Sequence, residues 1–182
     1  FFNKPLENVI FTGSLETAKK IQEQLARRKD ILNLIAETGG LNCLIADSSA
    51  LTEHVVQDVV NSGFNSAGQR CSACRILCVE EHVYKQTLKM LKGAIDTLEI
   101  NNPEFLSTDL GPVIDSSSKE KILNHIKSFS NTYQTKNIPE DGHFVAPTII
   151  EISSLIEINE EIFGPVVHMI SYKAKNTTQL CE

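Results

Sequence analysis

The sequence predicts an α/β fold, and three observations predict it. Short β-branched runs alternate with amphipathic helical stretches along the chain. The opening part holds a strand, a tight turn, a helix and a second strand, the order of a βαβ unit of roughly 30 residues. Neither an internal repeat nor an apolar run near the roughly 20 residues of a membrane span interrupts the pattern.

Val9-Ile10-Phe11-Thr12 is the first strand, and Gly13-Ser14 turns the chain into a helix from about Leu15 to Arg28. Leu15, Ala18, Ile21 and Leu25 fall at helical spacing, and Ser14 is a favourable N-cap. Ile31-Leu32-Asn33-Leu34-Ile35 then reads as a buried strand ending at Glu37-Thr38-Gly39-Gly40. A domain boundary is expected there, within Thr38–Asn42, with residues 1–38 in one domain and 39–182 in the other. Asn42 to Ala46 is the next strand. Leu51, Val55, Val56, Val59 and Val60 form one face of a helix that fades at Gly63. The stretch Asn65 to Arg70 reads as a loop delivering Cys71, and Arg75 to Val79 as a strand. Tyr84, Leu88, Leu91, Ile95 and Leu98 mark a longer helix. Ile122, Ile126 and Phe129 mark another, with Ser116–Ser118 as its cap. Phe144 to Ile152 and Val166 to Tyr172 close the chain as strands.

Composition narrows the function. A chain of 182 residues with 41% hydrophobic and 22% charged residues can build a core without staples. Lys and Arg total 17 against 23 Asp and Glu, a net charge of -6, which argues against nucleic acid or an anionic membrane as partner. The opening Phe1-Phe2-Asn3-Lys4-Pro5 has neither an initiator Met nor a basic leader, and reads as the middle of a longer protein. Five cysteines, Cys43, Cys71, Cys74, Cys78 and Cys181, are an odd set for a disulfide framework. Reduced thiols in a cytoplasmic protein are the better reading.

Four stretches can carry chemistry. In Phe11-Thr12-Gly13-Ser14, a strand enters a helix through a Gly-Ser turn, which leaves free N–H groups and a positive dipole end for a phosphate, or is simply a capped helix. Glu37, leaving a buried strand beside two glycines, suits a general base with a raised pKa, or is a solvated strand end. Cys71 follows a polar loop with Arg70 beside it, a placement that suits a nucleophilic thiolate as well as a structural thiol. The spacing of Cys71, Cys74 and Cys78 also permits a metal site, though no second CxxC pair or nearby His supports one. Finally, Glu160-Glu161-Ile162-Phe163-Gly164-Pro165 presents an acid and a ring at one bend, fit for ribose hydroxyls and a flat cofactor face, or for an ordinary turn over a buried Phe. His54, His82, His125, His143 and His168 stand in no triad or metal spacing and read as surface or core residues. Cys43 reads as buried in its strand.

Together and in this order, these pieces resemble the aldehyde dehydrogenase superfamily. The chain carries its Phe-Thr-Gly-Ser at 11–14, its Glu-x-Gly-Gly-x-Asn at Glu37 to Asn42, its Gly-Gln-x-Cys at Gly68 to Cys71 and its Glu-x-Phe-Gly-Pro at Glu161 to Pro165. Glu37 and Cys71 lie 34 positions apart, similar to the family's spacing of base and nucleophile. Phe144-Val145-Ala146-Pro147-Thr148 is similar to a further family stretch. Cys71-Ser72-Ala73-Cys74-Arg75 and Gly142 to Thr148 look like the branch that oxidises L-glutamate γ-semialdehyde, which includes part of the bifunctional proline utilisation proteins. Thr38 stands where Leu is usual, and Leu41 where Lys is frequent.

The resemblance implies an open α/β catalytic sheet with flanking helices, preceded by the last βαβ piece of a Rossmann-like cofactor domain. It implies Cys71 as nucleophile and Glu37 as the base that activates water. Gly13, Ser14, Thr38, Glu161 and Phe163 would contact NAD, and Ser72 the substrate's carboxylate. FAD would belong only to a proline dehydrogenase domain upstream. A small aldehyde as substrate, a homo-oligomer at full length and an inactive isolated fragment are further implications. A non-catalytic, dehydrogenase-like scaffold is the competing reading.

Overall fold

The computed structural model describes residues 7–176, so the opening Phe1–Pro5 and Cys181 lie outside the described residues. The chain divides after Gly40 into two compact units.

In the first unit, β1 (Asn8–Gly13), α1 (Leu15–Ala26) and β2 (Asn33–Thr38) form the expected βαβ unit, with the strands parallel and Thr12 opposite Glu37. Ser14 caps α1: its hydroxyl accepts from the Thr17 N–H at 3.2 Å. Among the described residues of this unit, Ala18 and Leu25 are the buried hydrophobics. The expected buried strand is corrected here. β2 starts two residues past Ile31, which is fully exposed, and Ile35 is 53% exposed. The reason is geometric, since α1 alone can cover no more than one face of a two-stranded sheet.

The second unit is a three-layer α/β arrangement. Its sheet runs β3-β4-β7-β6-β5, formed by β3 (Cys43–Ala46), β4 (Ile76–Glu80), β5 (Thr132–Gln134), β6 (Thr148–Ile152) and β7 (Val166–Tyr172). All neighbours pair in parallel except β5 with β6. The interior strand β4 is buried at every residue, the continuous pattern of a strand covered on both faces. On one face, Leu77, Val79, Ile149, Val167 and Met169 pack with Val55, Val56 and Val59 of α2 (Thr52–Val59) and with Leu91 and Ile95 of α3 (Glu81–Asp96). On the other, Ile76, Cys78, Ile150, Val166 and Ile170 pack with Ile122 and Ile126 of α4 (Ser116–Lys127).

Several boundaries differ from expectation. Leu51 is the N-cap of α2 and 63% exposed, so it lies off the apolar face. Asp115, rather than the serine run, caps α4, accepting from the Ser118 N–H at 2.7 Å. Phe144–Ala146 is buried but is not a strand, because Pro147 has no N–H for the ladder before β6 begins. The short strand β5 has no counterpart in the sequence reading.

Candidate active site

Cys71 is exposed on a loop whose shape is set by what precedes it. α2 ends in a π-helical turn, Val60–Phe64, and then Ser66, Ala67 and Gly68 all take left-handed backbone, with φ of 58°, 52° and 66°. Two of the three carry a Cβ that disfavours this region, so neighbouring contacts must hold the turn. At Gly68 a side chain is impossible: a Cβ would stand 2.1 Å from the Gly164 oxygen. The turn thus seats the loop before Cys71 directly on the Glu161–Gly164 bend.

The clamp is Arg75. Its side chain is fully buried, and every donor nitrogen of its guanidinium is engaged. Nη1 donates to the carbonyls of Gly68 at 2.7 Å and Gly164 at 3.2 Å, and Nη2 to the carbonyl of Arg70 at 3.1 Å. Nε and Nη2 both reach Glu161 Oε1, at 3.1 and 2.9 Å. The Phe163 ring lies 5.3 Å from the guanidinium carbon and is half-exposed. A charge buried this deeply persists only when paired and hydrogen-bonded, and one residue here ties the thiol loop to the carboxylate bend.

Asn42 is the second strut. Its side-chain amide donates to the carbonyls of Cys71 at 2.6 Å and Ala73 at 3.1 Å, while the Asn42 backbone carbonyl accepts from the N–H groups of Arg75 and Ile76. The Cys74 N–H donates to Ser62 Oγ at 3.0 Å, and Gln69 Oε1 accepts from the Ile114 N–H at 2.9 Å. Among the described residues, the N–H groups of Cys71 and Ser72 make no hydrogen bond to protein, which leaves them open to an oxyanion.

The remaining expected residues fall in the two units separately. Glu37 and Thr38 end β2, with Glu37 exposed rather than emerging from a buried strand, and Gly13 and Ser14 form the turn into α1. Ser72 is exposed next to Cys71. Arg70, expected to stabilise the Cys71 thiolate, instead donates to the carbonyls of Asn61 and Ser62, at 2.6 and 3.2 Å. Cys43 is exposed, not buried. Among the described residues, no group of three His, Cys, Asp or Glu side chains is placed to hold a metal ion.

Sequence reasoning missed two features. Arg75 had a signal, a lone cation entering the apolar run Ile76–Val79. The pairing of His125 with His168 had none, because the two are 43 positions apart. Their Nε2 atoms stand 2.8 Å apart, and His168 Nδ1 lies 3.2 Å from the Arg75 carbonyl. Burial holds the His168 imidazole down at about 4, and it lowers His125 as well.

Residues 3–179 match the Aldehyde dehydrogenase family. The chain belongs to that family. It is similar to the bifunctional protein PutA of Escherichia coli strain K12, 44% identical over an alignment 196 positions long that covers 97% of this chain and 14% of that protein. It is also similar to the crystal structure of Bradyrhizobium japonicum proline utilization A, with 42% identity, a TM-score of 0.94, and coverage of 98% of this chain and 19% of the other. A 1-pyrroline-5-carboxylate dehydrogenase from Thermus with bound NAD matches at 30% identity and a TM-score of 0.83, covering 92% of this chain and 34% of that one. The chain therefore spans about one-seventh of the length of the curated PutA relative. None of its described helices is long and apolar enough to cross a membrane.

Proposed function

We propose that this chain is the thiol-bearing segment of an NAD-dependent dehydrogenase that oxidises L-glutamate γ-semialdehyde to L-glutamate in proline catabolism. The observation that carries this reading is the exposed Cys71, held on a clamped loop beside the Glu161–Phe163 bend. A scaffold has no need to bury a cation in order to hold an exposed thiol and a largely buried carboxylate together.

Cys71 attacks the aldehyde carbon, and the developing oxyanion accepts hydrogen bonds from the open backbone N–H groups at Cys71 and Ser72. Ser72 Oγ binds the substrate's carboxylate. Glu37 takes a proton from the water that hydrolyses the thioester and releases glutamate. Glu161 fits a ribose: Arg75 engages Oε1, and Oε2 has no partner among the described residues, so one oxygen is anchored and the other can accept from a hydroxyl. Phe163 offers its half-exposed ring to the nicotinamide side, Gly13 and Ser14 face the pyrophosphate, and Thr38 contacts the cofactor near Glu37. NAD, when bound, supplies the hydride acceptor. In this reading residues 1–38 close the cofactor domain and 39–182 belong to the catalytic domain. The full-length protein is a cytoplasmic homo-oligomer, and the isolated segment is inactive. FAD enters only with a proline dehydrogenase domain on the same chain.

The test is Cys71→Ala in the full-length protein, which is expected to lower semialdehyde oxidation at least about 10³-fold and to abolish thiol-dependent ester hydrolysis. Retention of either activity overturns the role of Cys71. An alkylation rate at Cys71 equal to that of a free peptide thiol favours a scaffold.

A further inference from the structure

We propose that Cys43 and Cys78 are a second reactive thiol site, a dithiol that hydroperoxides close into a reversible disulfide, separate from Cys71. β3 and β4 pair with Cys43 opposite Ile76 and Ile45 opposite Cys78, so both sulfurs leave the same face of the sheet, one on each strand. Their Sγ atoms stand 3.4 Å apart, in hydrogen-bond contact. Cys43 is exposed and Cys78 fully buried, so an oxidant reaches the first and finds the second directly behind it.

The surrounding groups favour Cys43 as the attacking sulfur. The hydrogen bond from Cys78 lowers the Cys43 thiol to about 7 in spite of partial burial, which makes thiolate plentiful near neutrality. Cys74 is pushed up to about 11, by burial first and by the charge on Cys43 second, and stays a thiol. In the first step the Cys43 thiolate attacks a peroxide oxygen: an S–O bond forms, the O–O bond breaks, and the leaving hydroxide or alkoxide takes a proton. Cys43 becomes a sulfenic acid as the peroxide is reduced. Cys78 sulfur then attacks Cys43 sulfur: an S–S bond forms, the S–O bond breaks, and water leaves with the Cys78 proton. A thiol reductant restores both groups.

On parallel strands about 4.8 Å apart with about 3.3 Å rise per residue, a two-residue offset puts the Cα atoms about 8 Å apart, beyond the roughly 4.4–6.8 Å of relaxed disulfides. Closure therefore draws one strand inward, and among the described residues β3 is a four-residue strand paired on one side alone, which leaves it room to move. A bond closed under strain is readily reduced. Asn42 immediately precedes Cys43 and holds the Cys71 carbonyl, so the same shift disturbs the strut of the Cys71 loop.

The experiment treats the chain carrying Cys71→Ser with hydrogen peroxide at about pH 7.5, where Cys43 is largely ionised, and maps its peptides by mass spectrometry. The expected product is a Cys43–Cys78 linked pair, about 2 Da lighter than the two thiols and released by dithiothreitol. Cys43→Ser, at an exposed position that tolerates change, removes the product. Cys78→Ala leaves Cys43 as a sulfenic acid that dimedone traps. The proposal is overturned if no Cys43–Cys78 link forms, if the mass loss persists in Cys43→Ser, or if Cys43 reacts no faster than a free peptide thiol. None of these outcomes depends on dehydrogenase activity.

Discussion

The two units solve the same problem, presenting polar groups at the ends of parallel strands, with different means. The second unit buries both faces of its sheet and spends a buried cation, Arg75, on holding loops in place. Among its described residues the first has two strands and one helix, and leaves Ile10 at 75% and Ile35 at 53% exposed. Gly13, Ser14, Glu37 and Thr38 are positioned there by local rules, a capped helix and a strand end. Cys71, Glu161 and Phe163 are positioned by residues far from them in sequence. Sites built locally survive on short-range propensity, whereas sites built by long-range contacts depend on the whole core.

Substitutions can break or sharpen this contrast. The largest effect is expected from Arg75→Leu, which leaves the carbonyls of Gly68, Arg70 and Gly164 and the Glu161 carboxylate without their buried partner. Loss of one partner of a buried pair costs about 3–5 kcal/mol. Urea unfolding followed by circular dichroism reads it, and a cost under about 1 kcal/mol would deny Arg75 the clamping role.

A smaller effect, confined to acid, is expected from His168. Its folded pKa of about 4 lies below the ordinary imidazole value of 6.5, so the unfolded chain binds the proton more tightly. The stabilisation is complete above pH 6.5 and is lost as pH falls through 6.5 toward about 4. His125, also lowered by burial, adds a slope of the same sign at that face. His168→Gln should therefore flatten the stability profile between pH 6.5 and 4, read by chemical unfolding at stepped pH. An unchanged slope would contradict the buried, neutral imidazole.

The smallest effect is expected in the first unit. Ile35→Ser removes an apolar side chain that is already half in water, and should shift stability by no more than about 0.5 kcal/mol. A cost above about 2 kcal/mol in the full-length protein, with none in this chain, would mean that other parts of that protein bury the strand.

Much of this was legible in the residues. Alternating β-branched and amphipathic runs marked β1, α1, β3, β4, α3 and β7 to within a few residues, because each is a local pattern whose apolar face faces a core. Ser14 as a cap was readable for the same reason. Misreadings arose where local pattern and tertiary setting disagree. Ile31 to Ile35 has the composition of a buried strand without a second layer to bury it, and Phe144 to Pro147 is apolar enough for a strand but lacks the donor at Pro147. Arg70 and Arg75 look alike in sequence. Which of them reaches the thiol loop from inside depended on the register of β4, since Arg75 immediately precedes the fully covered strand and Arg70 does not.

The sequence by itself determined the α/β class, the family and the residue types at each motif, because hydrophobic period, turn chemistry and motif spacing are properties of short segments. Only the tertiary structure decided that Arg75 joins Gly68 and Gly164 to Glu161, that Asn42 holds the carbonyl of Cys71, and that Cys43 meets Cys78. Those contacts link residues 7 to 89 positions apart, and such distances close only when strands choose their neighbours in a sheet.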